Sequence, residues 1–306
     1  FTRLFGNRNH NNIINGSITE NGVGKMNDFN TSTLKRIKSM GCTHVWYTGI
    51  IRHASTTSYE EYGIPTQHPY AVVDYYDVDP DLAENVPDRM QEFEALLSRT
   101  SKVGLKTIID FVPNHVARQY KSTTKPEGVE DLGENDDTTK NFDANNNFYY
   151  CNGLPFAPSF SLYSEATDTT YFEQPAKATG NDRFDNAPNK DDWYETVKLN
   201  YGVDYCNPCG ERTEHFDPIP STWKKMTDIL LFWARKGVDG FRCDMAEMVP
   251  SAFWTYAIKE VKNEFPYILF IGEVYNPSLY DTYLQSGFDY LYDKVGMYDC
   301  VRGVIA

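Results

Sequence analysis

The sequence predicts an α/β fold, a (β/α)8 TIM barrel with a domain inserted after its third strand, of which about six strands are present. Three observations predict it. Short apolar segments of strand character alternate with segments of helical period, the pattern of a parallel sheet crossed by helices. Asp110, Asp244 and Glu273 each end a strand that is otherwise apolar. Three strands delivering carboxylates to one rim is the arrangement of a barrel, whose site lies at its C-terminal face, more than of an open doubly wound sheet. Finally, the alternation breaks between residues 117 and 215, in a stretch rich in Asn, Asp, Thr, Gly, Pro and aromatics. A structureless loop of that length is improbable in a packed domain, so it reads as an inserted subdomain.

Taken in order, residues 1–5 read as a strand end. Leu34, Ile37 and Met40 recur at helical spacing before Gly41, and residues 43–47 follow as a buried strand. Met90, Phe93, Leu96, Leu97 and Val103 mark a second helix ended by Gly104, and residues 106–112 the third strand. Beyond the insertion, Ser221 is expected to cap a helix whose apolar face holds Trp223, Met226, Ile229, Leu230 and Trp233. Residues 238–244 form a fourth strand, Phe253, Ala257, Ile258 and Val261 another helix, and residues 267–273 and 288–292 the last two strands. The expected division is residues 1–116 and 216–306 as two parts of one barrel and residues 117–215 as the insertion. Six strands cannot close the barrel, so the sequence reads as truncated at both ends, and the 306-residue chain alone is expected to be unstable and inactive.

A net charge of −14 disfavours nucleic acid and anionic membranes, which would repel the chain. A neutral substrate fits. The aromatic share of 15% suits a cleft that stacks on sugar rings. No apolar run approaches the length of a membrane span. No Gly-rich strand-to-helix turn suggests a nucleotide, and no organic cofactor is implied. Cys206 and Cys209, spaced Cys-Asn-Pro-Cys, lack the second pair or nearby His that a zinc site would want, and read as a loop disulfide or two free thiols. A secreted, periplasmic or cell-surface address is expected over a cytoplasmic one.

The chemistry-bearing motifs are Asp110-Phe111-Val112-Pro113-Asn114-His115, Gly240-Phe241-Arg242-Cys243-Asp244 and Gly272-Glu273-Val274. Cleaving an acetal through an oxocarbenium-like transition state needs one carboxylate to attack and one carboxylic acid to protonate the leaving oxygen. Arg242 lies two residues before Asp244 on one strand, hence on the same side, and its charge would hold Asp244 ionised. Glu273, flanked by Phe270, Ile271 and Val274, is expected in an apolar surround that would suit it to hold a proton.

These motifs, in this order, resemble the first three signature regions of the α-amylase family, glycoside hydrolase family 13, and the insertion resembles that family's domain B. The stretch from Tyr70 through Ala71, Val72, Val73 and Asp74 to Pro80 resembles the family's segment after the second strand. The resemblance implies a retaining hydrolase of α-1,4-linked glucans such as starch or maltooligosaccharides. Asp244 would be the nucleophile, Glu273 the general acid/base and Arg242 the residue that positions Asp244. His115 would bind the sugar in the cleaved subsite, Tyr70 would stack on it, and Asp110 would support the rim. Asn114 matches a position that often binds calcium in the family. The sequence departs from the pattern in three places. The fourth region, with its His-Asp pair, is absent. Glu247 and Met248 stand where many α-amylases have Lys and His, which puts calcium at Asn114 in doubt, and Ala71 replaces an Asp common in oligosaccharide-specific relatives. Two alternatives share the motifs: a 4-α-glucanotransferase or other transglycosylase, and a non-catalytic glucan-binding homologue. The second would be expected to lack a carboxylate, and both are present.

Overall fold

The structure, a computed structural model, describes residues 4–7, 9, 21–54, 70–164, 168–206 and 212–305. Five parallel strands form its central sheet: β1 (His44–Tyr47), β2 (Lys106–Phe111), β3 (Gly240–Cys243), β4 (Leu269–Gly272) and β5 (Tyr290–Leu291). Each pairs with the next in chain order. A doubly wound sheet reverses its strand order partway; this one adds every strand at the same edge, as a barrel does. The strand end expected over residues 1–5 is not seen among its described residues, because Leu4, Phe5 and Gly6 form a turn.

The helices are α1 (Thr31–Ser39), α2 (Arg89–Lys102), α3 (Ser221–Arg235), α4 (Ser251–Glu264), α5 (Tyr280–Gln285) and α6 (Asp299–Ile305). The side chain of Asn30 accepts from the Thr33 N–H and starts α1. Ser221 is not the cap expected of it: it is the first helical residue, and Pro220 precedes it without a side-chain hydrogen bond. The chain returns from α2 to β2 through Gly104 (φ +76°) and from α3 to β3 through Gly237 (φ +101°), left-handed positions that a side chain would strain.

α3 and α4 bury Trp223, Trp233, Phe253 and Trp254 in one core with Phe111, Phe241 and Phe270 of the sheet, Trp254 edge-on to Phe111. Rings of this size each remove roughly 150–250 Å² from water and dominate the core's energetics. Their polar edges are satisfied by backbone: the indole N–H of Trp233 donates to Tyr75 O (2.8 Å), and that of Trp254 to Ala246 O (3.1 Å). Tyr75 lies on the strand Val72–Val78, which pairs antiparallel with Ile51–His53, and its hydroxyl donates to Val112 O.

Between β2 and α3 the described residues form only short antiparallel pairs, His115–Ala117 with Thr196–Lys198, Tyr150–Cys151 with Ala176–Lys177, Tyr163–Ser164 with Thr169–Thr170, and Val203–Asp204 with Thr213–Glu214. Such pairs cannot hold themselves together. Polar anchors tie them to the rest: Asp74 accepts from Ser122 Oγ (2.6 Å) and the Thr123 N–H (2.7 Å), and Lys225 of α3 reaches Asn147 Oδ1 (2.9 Å). Cys151 and Cys243 are buried free thiols, and Cys209 lies outside the described residues. No helix among the described residues is long and apolar enough to cross a membrane.

Candidate active site

The sheet register builds the site. Arg242 on β3 lies level with Asp110 on β2, and the ladder continues beyond the strands: the Asp244 N–H donates to Phe111 O, Glu273 to Cys243 O, and Tyr292 to Gly272 O. The C-terminal ends of four neighbouring strands thereby bring Asp110, Arg242, Asp244, Glu273 and Tyr292 to one rim.

Arg242 is the hub. One terminal nitrogen, Nη1, lies 2.7 Å from Asp244 Oδ1 and 3.4 Å from Asp110 Oδ1, and the other, Nη2, lies 2.7 Å from Glu273 Oε1. Its Nε donates to the Tyr292 hydroxyl (2.9 Å), and the rings of Tyr292 and Trp46 lie 5.4 Å from the guanidinium carbon. Burial alone would disfavour the cation, but the surrounding carboxylates outweigh it and raise its pKa above the ordinary arginine value. A planar fork can bridge two carboxylates at once; a lysine could not do so in this geometry.

Burial pushes Asp244 up from 3.8 to about 7, with Arg242 opposing and Glu273 adding to the rise. Asp110 is also raised by burial, against the pull of Arg242 and of donors that include the Gly49 N–H (2.9 Å) and the Tyr70 hydroxyl (3.0 Å). The surround expected for Glu273 is corrected here. Phe270 and Val274 are fully buried, but the Glu273 carboxylate itself meets donors: Arg242, the Met245 N–H on Oε2 (2.8 Å), and the Tyr275 hydroxyl on Oε1. Met245 adopts a left-handed backbone (φ +44°) immediately after Asp244. That conformation costs a non-glycine residue on the order of 1 kcal/mol or more, and it recurs where function fixes the backbone.

Tyr70, Asp110, Arg242, Asp244 and Glu273 therefore form one bonded network. His115 and Asn114 join a second group. His115 sits with its ring 5.4 Å from that of Trp193, and its Nδ1 is 3.2 Å from Asn114 Nδ2. Asn114 donates to Gly180 O (2.8 Å), and its Oδ1 accepts from Lys198 Nζ. That lysine nitrogen, fully enclosed, also pairs with Asp182 (2.7 Å) and donates to Met248 O (3.1 Å). Asn114 Oδ1 is thus engaged by the Lys198 side chain and its backbone oxygen by the Leu199 N–H (3.0 Å), and these residues do not fit the ion. Chelation with EDTA is accordingly expected to leave the thermal midpoint unchanged. Lys198→Ala should cost about 3 kcal/mol in chemical denaturation, because it strands buried acceptors. A midpoint lowered by EDTA and restored by calcium in the parent, but not in Asn114→Ala, would return the ion to Asn114.

Sequence reasoning missed Trp46, Tyr275, Tyr292 and the Met245 N–H. Tyr292 ends the last strand segment just as Asp244 and Glu273 end theirs, so the same rule could have found it. Tyr275 lies two residues after Glu273, the spacing that puts extended side chains on one side.

Comparison with known proteins places this geometry. Residues 1–204 match the family model "Alpha amylase, catalytic domain". Maltase A1 of Drosophila melanogaster is 24% identical over 226 residues, 73% of this chain and 31% of the maltase. The amino acid transporter heavy chain SLC3A1 of Rattus norvegicus is 24% identical over 237 residues, 76% of this chain and 28% of the transporter chain. The chain thus spans about a third or less of these two relatives. Among solved structures, the α-amylase of Lactobacillus plantarum shares the fold with a TM-score of 0.55 at 22% identity, over 90% of this chain and 51% of that one. The parallel sheet, the rim of carboxylates and the match over two thirds of the sequence agree: the chain belongs to the α-amylase catalytic-domain family.

Proposed function

We propose that this chain carries the catalytic rim of a retaining glycoside hydrolase that cleaves α-1,4-linked glucans, starch or maltooligosaccharides, by double displacement. The observation that carries the reading is the single guanidinium shared by Asp244 and Glu273, which holds two carboxylates side by side at one rim. Retention needs two such groups close together, one to attack and one to give and then take a proton. In this reading Asp244 attacks the anomeric carbon, Arg242 keeps it ionised and aimed, and Glu273 protonates the leaving oxygen and later activates water. Glu273 must exchange its contact with Arg242 for a proton as substrate binds; sugar filling the cleft and excluding water would favour that exchange. Tyr70 and Asp110 line the same rim, and His115, just past the end of β2, packs against Trp193 of residues 117–215, the proposed domain B. The presence of both carboxylates supports catalysis over a purely binding role.

The test is the stereochemistry of the first product. The intact protein, given maltoheptaose and followed by proton NMR, should release the α-anomer before mutarotation. Initial β-anomer would require inversion and sink the double-displacement mechanism. New oligosaccharides longer than the substrate would assign the second step to a sugar acceptor rather than to water.

A further inference from the structure

Glu247 stands in the short turn Ala246–Met248 directly after Asp244, yet its carboxylate reaches across to the loop that follows Glu273. Its Oε2 accepts from the N–H groups of Tyr275 (3.1 Å) and Asn276 (3.0 Å). The backbone of that turn is pinned from a third element, since the Tyr283 hydroxyl of α5 donates to Glu247 O (3.1 Å) and Val249 O (2.9 Å). With its backbone N–H held, Tyr275 turns its hydroxyl onto Glu273 Oε1. Met245, at the start of the same turn, gives its N–H to Glu273 Oε2. Both oxygens of Glu273 are therefore addressed by groups whose placement depends on the turn after Asp244.

We infer that Glu247 and Tyr275 are positioning residues for Glu273: Glu247 fixes the loop, and the Tyr275 hydroxyl sets the direction of the Glu273 carboxyl. This rests on the reading of Glu273 as the acid/base. The other ionisable groups around Glu273 are Arg242 and Asp244 on the β3 side and Tyr292 beyond β5. Arg242 is held by four partners of its own, which leaves Tyr275 as the contact most easily altered without dismantling the network. Without that hydroxyl the carboxyl should lose its aim at the leaving oxygen.

The experiment compares kcat/KM for the intact protein on two substrates: maltoheptaose, whose leaving group needs protonation, and 2-chloro-4-nitrophenyl maltotrioside, whose leaving group does not. Tyr275→Phe should lower kcat/KM on maltoheptaose about tenfold near neutrality, and change the aryl substrate less than about twofold. Glu247→Ala should act in the same direction, and Glu247→Gln, which keeps an oxygen for both N–H groups, should restore most of the loss. An unchanged kcat/KM on maltoheptaose in Tyr275→Phe, or equal losses on both substrates, would overturn the inference even if Glu247→Ala fails to fold. Glu273→Gln run alongside separates the two levels: full activity of that variant on maltoheptaose removes the acid/base reading itself.

Discussion

Replacing Asp244 with Asn is expected to lower turnover on maltooligosaccharides roughly a thousandfold or more while leaving glucan affinity within about threefold. The amide keeps the shape of the side chain and an oxygen that can face Arg242 Nη1, so the rim should stay assembled. What it lacks is a lone pair basic enough to bond the anomeric carbon. That bond exists only on the way to the transition state, so its loss falls on kcat rather than on ground-state binding. Two measurements check this: single-turnover rates with maltoheptaose, and calorimetric titration of the same ligand. A stronger form uses Asp244→Gly with added azide. A small anion entering the space that Asp244 leaves would attack from its side and yield a β-glycosyl azide. Turnover of Asp244→Asn within tenfold of the parent would remove Asp244 from the role.

The sequence made the rim legible because a parallel sheet obeys a simple rule: strand ends face one way, and carboxylates at the ends of apolar strands must meet there. Asp110, Asp244 and Glu273 were readable on that basis, and Arg242 from its two-residue spacing. What the sequence could not supply was the environment of each group. Glu273 has apolar neighbours in the chain, yet an extended chain points alternate residues apart, so Phe270 and Val274 enter the core while Glu273 meets donors. Lys198 was invisible as a partner of Asn114, because 84 residues separate them and only the folding of the intervening segment joins them. Glu247 was noticed only as a departure from a family pattern; its bond to the loop after Glu273 depends on the register of β3 against β4. The opening strand end failed for a plainer reason: a few apolar residues carry too little periodicity to separate a strand from a turn.

Arg242→Ala should be the most damaging single change to the molecule, in stability as well as in rate. The guanidinium is the counter-charge for Asp110, Asp244 and Glu273, all of them buried. Removing one partner of a buried ion pair costs about 3–5 kcal/mol, because the charge left behind has neither water nor a cation. Arg242→Lys should recover little of this, since one ammonium cannot take the places of two Nη atoms and an Nε. The consequences for pH have definite signs. Burial already lifts Asp244 to about 7 against the pull of Arg242, so without that pull it rises further. Attack needs the ionised form, so the acidic limb of the kcat/KM profile should move to higher pH. Stability should move the opposite way. A carboxyl whose folded pKa lies above its unfolded value binds more protons folded than unfolded, so the variant is relatively most stable below about pH 4 for this group and loses that contribution as pH rises through the folded value. Denaturant midpoints of Arg242→Ala relative to the parent should therefore improve between pH 8 and pH 5, as the stranded carboxylates take up protons. An Arg242→Ala protein with a parental midpoint at neutral pH and an unshifted acidic limb would show that the guanidinium neither holds the rim together nor sets the charge of Asp244.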